Sequence, residues 1–265
     1  MTNSSAYLLV IHGSRNRKSL DAAARLKQLL FEELQSPNLL SQQNYLKSSS
    51  FGIKIETVGN LSSSQIPLID VAALELAPLS LSKSLINFAV KAGDRGFKRV
   101  LVVPLFLVPG VHVTEDIPTE ISLAMKQIDS QVTIELSPYL GKYSEIIELL
   151  DRKFSKLSAK TRILVAHGSR SFGANKYYLN LRDRAKAEIA YWSMNPSLSQ
   201  QVKAQIACGR KNIAIVPYFL FPGKITEAIA EEVSVLQKEH PEVELVLGKP
   251  LGATPALAKL IAKKF

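Results

Sequence analysis

A chain of 265 residues is long enough for one large or two modest domains, and at 46% hydrophobic and 21% charged it can bury sizeable cores while staying globular. Its single cysteine, Cys208, excludes an internal disulfide and a cysteine-built zinc cluster, and its longest apolar run, Val100 to Val113, is broken by two prolines and too short for a bilayer. The net charge of +10 is scattered, with no zinc-finger, RRM or basic-zipper pattern; this argues against nucleic acid and leaves a solvated surface or the steering of a polyanionic small molecule.

In chain order, Tyr7 to Ile11 is a compact apolar run that reads as a buried strand and stops at His12-Gly13. The run is too short for a signal peptide, so a cytoplasmic protein is expected. Arg17 to Leu34 has helical periodicity, with Leu20, Ala23, Leu26, Leu30 and Leu34 on one face and Lys27 at its edge. Ser36 to Gln65 is rich in Ser, Asn and Gln and reads as a surface insertion carrying one short strand at Gly52 to Val58. Val71 to Leu76 is a strand and Leu79 to Ala92 a helix. Arg99 to Val103 is a strand, followed by a loop holding His112 and by a helix from Glu115 to Ile128, its start marked by Asp116 and Pro118. Val132 to Leu136 and Ser144 to Phe154 complete a first half. Strands at Ile163–Ala166, Ile213–Val216 and Val243–Leu247, with helices between, make a second half. Such alternation predicts an α/β protein: two tandem domains, 1–158 and 159–265, each a parallel sheet flanked by helices.

The halves repeat one another. Leu9-Val10-Ile11-His12-Gly13-Ser14-Arg15 returns as Leu164-Val165-Ala166-His167-Gly168-Ser169-Arg170, and Val102 to Gly110 returns as Ile215 to Gly223. Pro104 to Gly110 and Pro217 to Gly223 are both 6 positions, and Gly110 to Gly141 is 31 against 29 for Gly223 to Gly252. A period this long means duplicated domains and not a solenoid. The early part differs: His12 to Pro78 is 66 positions but His167 to Pro196 only 29, short enough that a strand is expected to be missing or merged with a helix.

In parallel α/β sheets, ligands sit outside the carboxyl ends of the strands. His12, Glu75 and His112 all fall there. Two imidazoles and a carboxylate suit a first-row divalent ion and equally suit proton transfer. Without a thiolate, such a site holds an ion weakly enough to release it. By position, Glu75 maps to Ser193 and His112 to Lys224 or Ile225, so His167 stands without its partners and reads as structural. His240 reads as a surface residue. The Gly-Ser-Arg turns either cap the next helix or hold a carboxylate. No phosphate-binding glycine loop and no G-x-S-x-G occurs, so nucleotide-dependent and serine-hydrolase chemistry lack their usual groups.

His12-Gly13-Ser14-Arg15, Leu74-Glu75 before Pro78, and the Pro-Leu-Phe-Leu…His…Asp-Ile-Pro block from Val103 to Pro118 resemble the sirohydrochlorin chelatase family, in its long two-domain form. The resemblance implies two flavodoxin-like, chelatase-fold domains facing each other across an interdomain cleft. It implies a lyase that inserts Co2+ or Fe2+ into sirohydrochlorin without a nucleotide, for cobalamin or sirohaem biosynthesis. His12 and His112 would bind the metal and accept protons with Glu75 assisting, and Ser14 and Arg15 would bind the anionic macrocycle. One active site is expected, in a monomer or homodimer with no membrane or nucleic-acid partner. The rival readings are a non-catalytic metal or tetrapyrrole carrier and a chelatase for another tetrapyrrole.

Overall fold

The first strand already dictates the layering. In β1 (Ser5–Ile11), Ala6, Leu8 and Val10 point to one face while Tyr7, Leu9 and Ile11 point to the other, and all six are buried. A strand apolar on both faces needs helices on both. In the computed structural model, residues 5–35, 66–128, 132–169 and 172–264 are described. The expected insertion at 36–65 and its strand at Gly52 to Val58 lie outside them.

Around β1, the strands β2 (Ile69–Ala73), β3 (Arg99–Pro104) and β4 (Thr133–Leu136) form a parallel sheet in the order β2-β1-β3-β4. The second half repeats it with β5 (Thr161–Ala166), β6 (Glu188–Tyr191), β7 (Asn212–Pro217) and β8 (Glu244–Leu247) in the order β6-β5-β7-β8. This is the flavodoxin-like order, whose reversal between the first and third strands opens a crevice at their carboxyl ends.

Four helices lie between the sheets: α1 (Arg17–Gln35), α4 (Glu145–Ser155), α5 (Phe172–Ala185) and α8 (Pro255–Lys264). Helix α1 packs along α8 and α4 against α5, so each pair joins one half to the other. Leu26 and Leu30 of α1, Leu150 and Phe154 of α4, Tyr178 and Leu181 of α5, and Leu257 and Ile261 of α8 belong to one continuous apolar core with the facing sides of β1, β3, β5 and β7. The outer faces carry separate cores. Helices α2 (Leu81–Asp94) and α3 (Ile117–Met125) cover the first sheet. Helices α6 (Leu198–Ala207) and α7 (Lys224–Glu239) cover the second.

Several expectations are revised. Leu20 is 44% exposed, because it sits in the first turn of α1 before the helix reaches the central layer. Strand β2 starts at Ile69 and ends its regular pairing at Ala73. The second half does not lack its second strand: Lys186, at φ 49°, turns the chain within two residues of α5 and delivers β6 directly. His112 is not in a loop, and the helix expected from Glu115 begins earlier. A π-helical turn spans His112–Asp116, in which the Ile117 N–H donates to the His112 carbonyl. Pro118 has no N–H to continue an α-helical ladder backwards, and the wider turn absorbs that gap. His240 is not a free surface residue: it ends α7 with its Nε2 buried and unpaired among the described residues.

Candidate metal centre

Backbone pairing sets the positions of the three expected residues. Beyond the regular ladder, the Leu74 N–H donates to the Ile11 carbonyl and the Glu75 N–H to the His12 carbonyl, each at 2.9 Å. That seats Glu75 beside His12. On the other flank the Leu105 N–H donates to the Val10 carbonyl at 2.8 Å, and the chain then runs through Gly110 into the π-helical turn. The first residue of that turn, His112, swings back over His12.

The structure brings all three together. The Nε2 atoms of His12 and His112 are 3.1 Å apart, and Oε2 of Glu75 is 3.9 Å from Nε2 of His12. One donor atom from each of the three residues lies within 4.8 Å of the others. The imidazoles meet nearly edge-on, at 84° with centroids 4.7 Å apart, and Phe106 packs within 6.4 Å of both rings. At metal–nitrogen distances of about 2.0–2.1 Å, a 3.1 Å separation subtends roughly 95–100°, a fit for two cis ligands of one ion. Glu75 stands at the outer limit of the same coordination sphere. Its side chain is about half exposed, which leaves it free to swing.

The protonation pattern has a structural cause. Nδ1 of His112 is 2.7 Å from Oδ2 of Asp116. A carboxylate only accepts, so Nδ1 carries the proton and Nε2 presents a lone pair to the cleft. Nδ1 of His12 makes only a long contact, 3.4 Å, with the Gly13 carbonyl. The point between the two Nε2 atoms therefore takes either a proton on His12 or a cation.

Ser14 and Arg15 also face the cleft, with Arg15 exposed. The cap of α1 is neither of them: Oδ1 of Asn16 accepts from the Lys18 N–H at 2.9 Å, while Oγ of Ser14 accepts from the Asn16 N–H at 3.0 Å. The cleft itself measures about 810 Å³ and is walled by both halves, from His12 to Val113 on one side and from His167 to Thr226 on the other. Its described lining has two fixed cations, Arg15 and Lys224, and the carboxylate beside it is that of Glu75 in the trio. In the second half, the Trp192 and Ser193 N–H groups donate to the Ala166 and His167 carbonyls, reproducing the pairing of Leu74 and Glu75. Ser193 thus occupies the place of Glu75. Counting on from Gly110 and Gly223, Ile225 takes the place of His112.

Two residues at the centre were not expected there. Asp116, read from sequence as a helix start and as part of the His…Asp-Ile-Pro block but given no role at the site, holds His112. The signal was present as His112-x-x-x-Asp116, a one-turn spacing that puts both on one face. Leu76 lines the cleft beside Glu75, and no sequence pattern marks it.

Two flavodoxin-like sheets joined back to back by helices, with an imidazole–carboxylate trio at a strand-end cleft, define a protein of the chelatase fold. The profile of the CbiX family matches residues 56–157 and again residues 161–265, and the chain belongs to that family, the sirohydrochlorin chelatases. It is similar to the sirohydrochlorin cobaltochelatase of Priestia megaterium, 23% identical over 213 residues that cover 74% of this chain and 68% of that protein. The sirohydrochlorin ferrochelatase of the same organism is 22% identical over 210 residues, covering 74% and 76%. Among solved structures, the sirohydrochlorin chelatase SirB from Bacillus subtilis subspecies spizizenii, in complex with cobalt, superposes with a TM-score of 0.67 at 19% identity, covering 98% of this chain and 93% of that one. SirB from Bacillus subtilis with Fe3+ gives 0.69 at 20%, covering 98% and 94%. At such identities the superpositions carry the fold. No described helix is long and apolar enough to cross a membrane.

Proposed function

We propose that this chain is a lyase that inserts a divalent metal ion, Co2+ or Fe2+, into sirohydrochlorin without a nucleotide, on the way to cobalamin or sirohaem. The observation that carries the reading is the approach of the two Nε2 atoms, 3.1 Å apart at the mouth of a cleft lined by Arg15 and Lys224. The relatives named above, one acting with cobalt and one with iron, support the same substrate class. The cleft volume of about 810 Å³ falls within the range of small-molecule and cofactor sites.

The reaction exchanges one M2+ for two pyrrole protons. In this reading His12 and His112 hold the incoming ion. Two nitrogens and one loosely placed carboxylate bind it less firmly than a thiolate set, so the ring nitrogens can take it over. Asp116 keeps the Nε2 lone pair of His112 on the cleft side. As the ion leaves, the freed imidazole of His12 and the carboxylate of Glu75 accept the departing protons. Arg15, Ser14 and Lys224 attract the carboxylates at the rim of the macrocycle. The halves 1–158 and 159–265 act as two walls of one site, in the cytoplasm, as a monomer or homodimer.

The test is a steady-state assay of sirohydrochlorin with Co2+, Fe2+ and Ni2+ in turn, followed by the change in tetrapyrrole absorbance. Multiple turnovers with Co2+ or Fe2+, abolished in His112→Ala, are expected. A ceiling of one metallated product per chain would mean a carrier, and wild-type rates in His112→Ala would overturn the mechanism.

A further inference from the structure

Leu76 adopts φ 57°, in the left-handed region that a residue with a β-carbon enters at an energetic cost. It follows Glu75 directly. The cause lies in the orientation of the peptide between the two. The Glu75 carbonyl is turned in against Gly13, so closely that a β-carbon added at Gly13 would sit 2.0 Å from its oxygen. Gly13, at φ 112°, is what lets that carbonyl approach, and Leu76 is where the chain turns away again.

The second half supplies an internal control. There the same two backbone hydrogen bonds place Trp192 and Ser193 against Ala166 and His167. Yet Met194, the counterpart of Leu76, is not among the described residues with positive φ. A β-carbon at Gly168 would meet the side chains of Met194 and Ser193 rather than a backbone carbonyl. The strained turn exists only in the half that has the two histidines and Glu75.

Strain alone would favour glycine at position 76. A leucine stands there, 57% exposed, outside both apolar cores of its half, and it lines the same cleft as His12 and Phe106. An exposed branched apolar side chain held in a costly conformation contributes nothing to the packing described above. It does offer the weakly hydrated face of a flat ring an apolar contact in the cleft that holds the metal trio. Building on the chelatase reading, we propose that Leu76 is a substrate-positioning residue: its side chain packs on the apolar face of the tetrapyrrole and seats the ring nitrogens over His12 and His112.

The test uses the full chain and three variants, Leu76→Gly, Leu76→Ala and Leu76→Met. Two quantities are measured: the Kd of metal-free sirohydrochlorin, by fluorescence, and the affinity for Co2+ alone, by visible absorption. Burial of one leucine side chain corresponds to roughly ten- to hundredfold in Kd. That loss is expected in both Leu76→Gly and Leu76→Ala, with Leu76→Met restoring binding to within about threefold, since methionine supplies similar apolar surface. The affinity of Leu76→Ala for Co2+ should match the wild type. Wild-type sirohydrochlorin binding in both truncated variants overturns the proposal, as does a loss confined to Leu76→Gly, which would trace to backbone freedom. A parallel loss of Co2+ affinity in Leu76→Ala overturns it too, since the side chain would then be supporting the trio. If the unaltered chain binds no sirohydrochlorin, the chelatase reading fails and takes this inference with it; altered binding in none of the variants sinks this inference alone.

Discussion

Asp116 decides which nitrogen of His112 faces the cleft. Without its carboxylate, the imidazole can place the proton on either nitrogen and rotate about its side-chain bonds, so Nε2 is no longer held toward the cleft with its lone pair free. Partners of this kind typically contribute 10–100-fold to metal affinity. Asp116→Ala should therefore weaken Co2+ binding by about that factor, read by titration of the visible absorption of the bound ion. Asp116 is 43% exposed, so the loss should come without a fall in melting temperature. Unchanged affinity would mean that the ion pair only staples the π-helical turn. At the same scale, His12 shows why a site can need two histidines and still be asymmetric. One imidazole is oriented by a carboxylate and the other by a single long contact to a carbonyl. Under the proposed function, the first would hold the ion and the second would release it.

At the scale of elements, the two halves cohere through α1 against α8 and α4 against α5, in one core buried between the sheets. Leu30 lies at the centre of that layer and is completely buried. Leu30→Ala should cost about 2–5 kcal/mol, the range for a large-to-small change in a packed core, measured by denaturant unfolding. A loss below about 1 kcal/mol would show a layer loose enough to collapse around the gap. Much of this organisation was legible in the sequence. The alternation of short apolar runs with helical periods gave the parallel α/β class. The repeated His-Gly-Ser-Arg and Pro-x-Phe-Leu stretches gave the duplication and located His12 and His112 at strand ends. What stayed hidden depended on three-dimensional detail. Strands apolar on both faces require helices on both, but do not say which helix from which half supplies the cover. The π-helical turn follows from a missing N–H at Pro118, which a helical wheel does not register. The left-handed turns at Leu76 and Lys186 fall on residues that carry no turn signal, so neither the presentation of Glu75 nor the early arrival of β6 could be read in advance.

The whole molecule is a duplicated fold in which one copy keeps a donor set and the other supplies a wall. Across the cleft, His167 repeats His12, but Ser193 stands for Glu75 and Ile225 for His112, so the second half offers one imidazole where the first offers three donors. Lys18, near the start of α1, donates to Glu227 in the first turn of α7 at 2.6 Å and ties the two walls together at their surface. Both side chains are solvent-exposed, so the tie is weak. An asymmetric pair of this kind predicts one metal position per chain, not two. Crystals soaked in Co2+ and measured at the cobalt absorption edge test that directly. The anomalous map should hold a single strong peak per chain, about 2.1 Å from Nε2 of both His12 and His112. A peak at His167 of equal height, or none between His12 and His112, would contradict it.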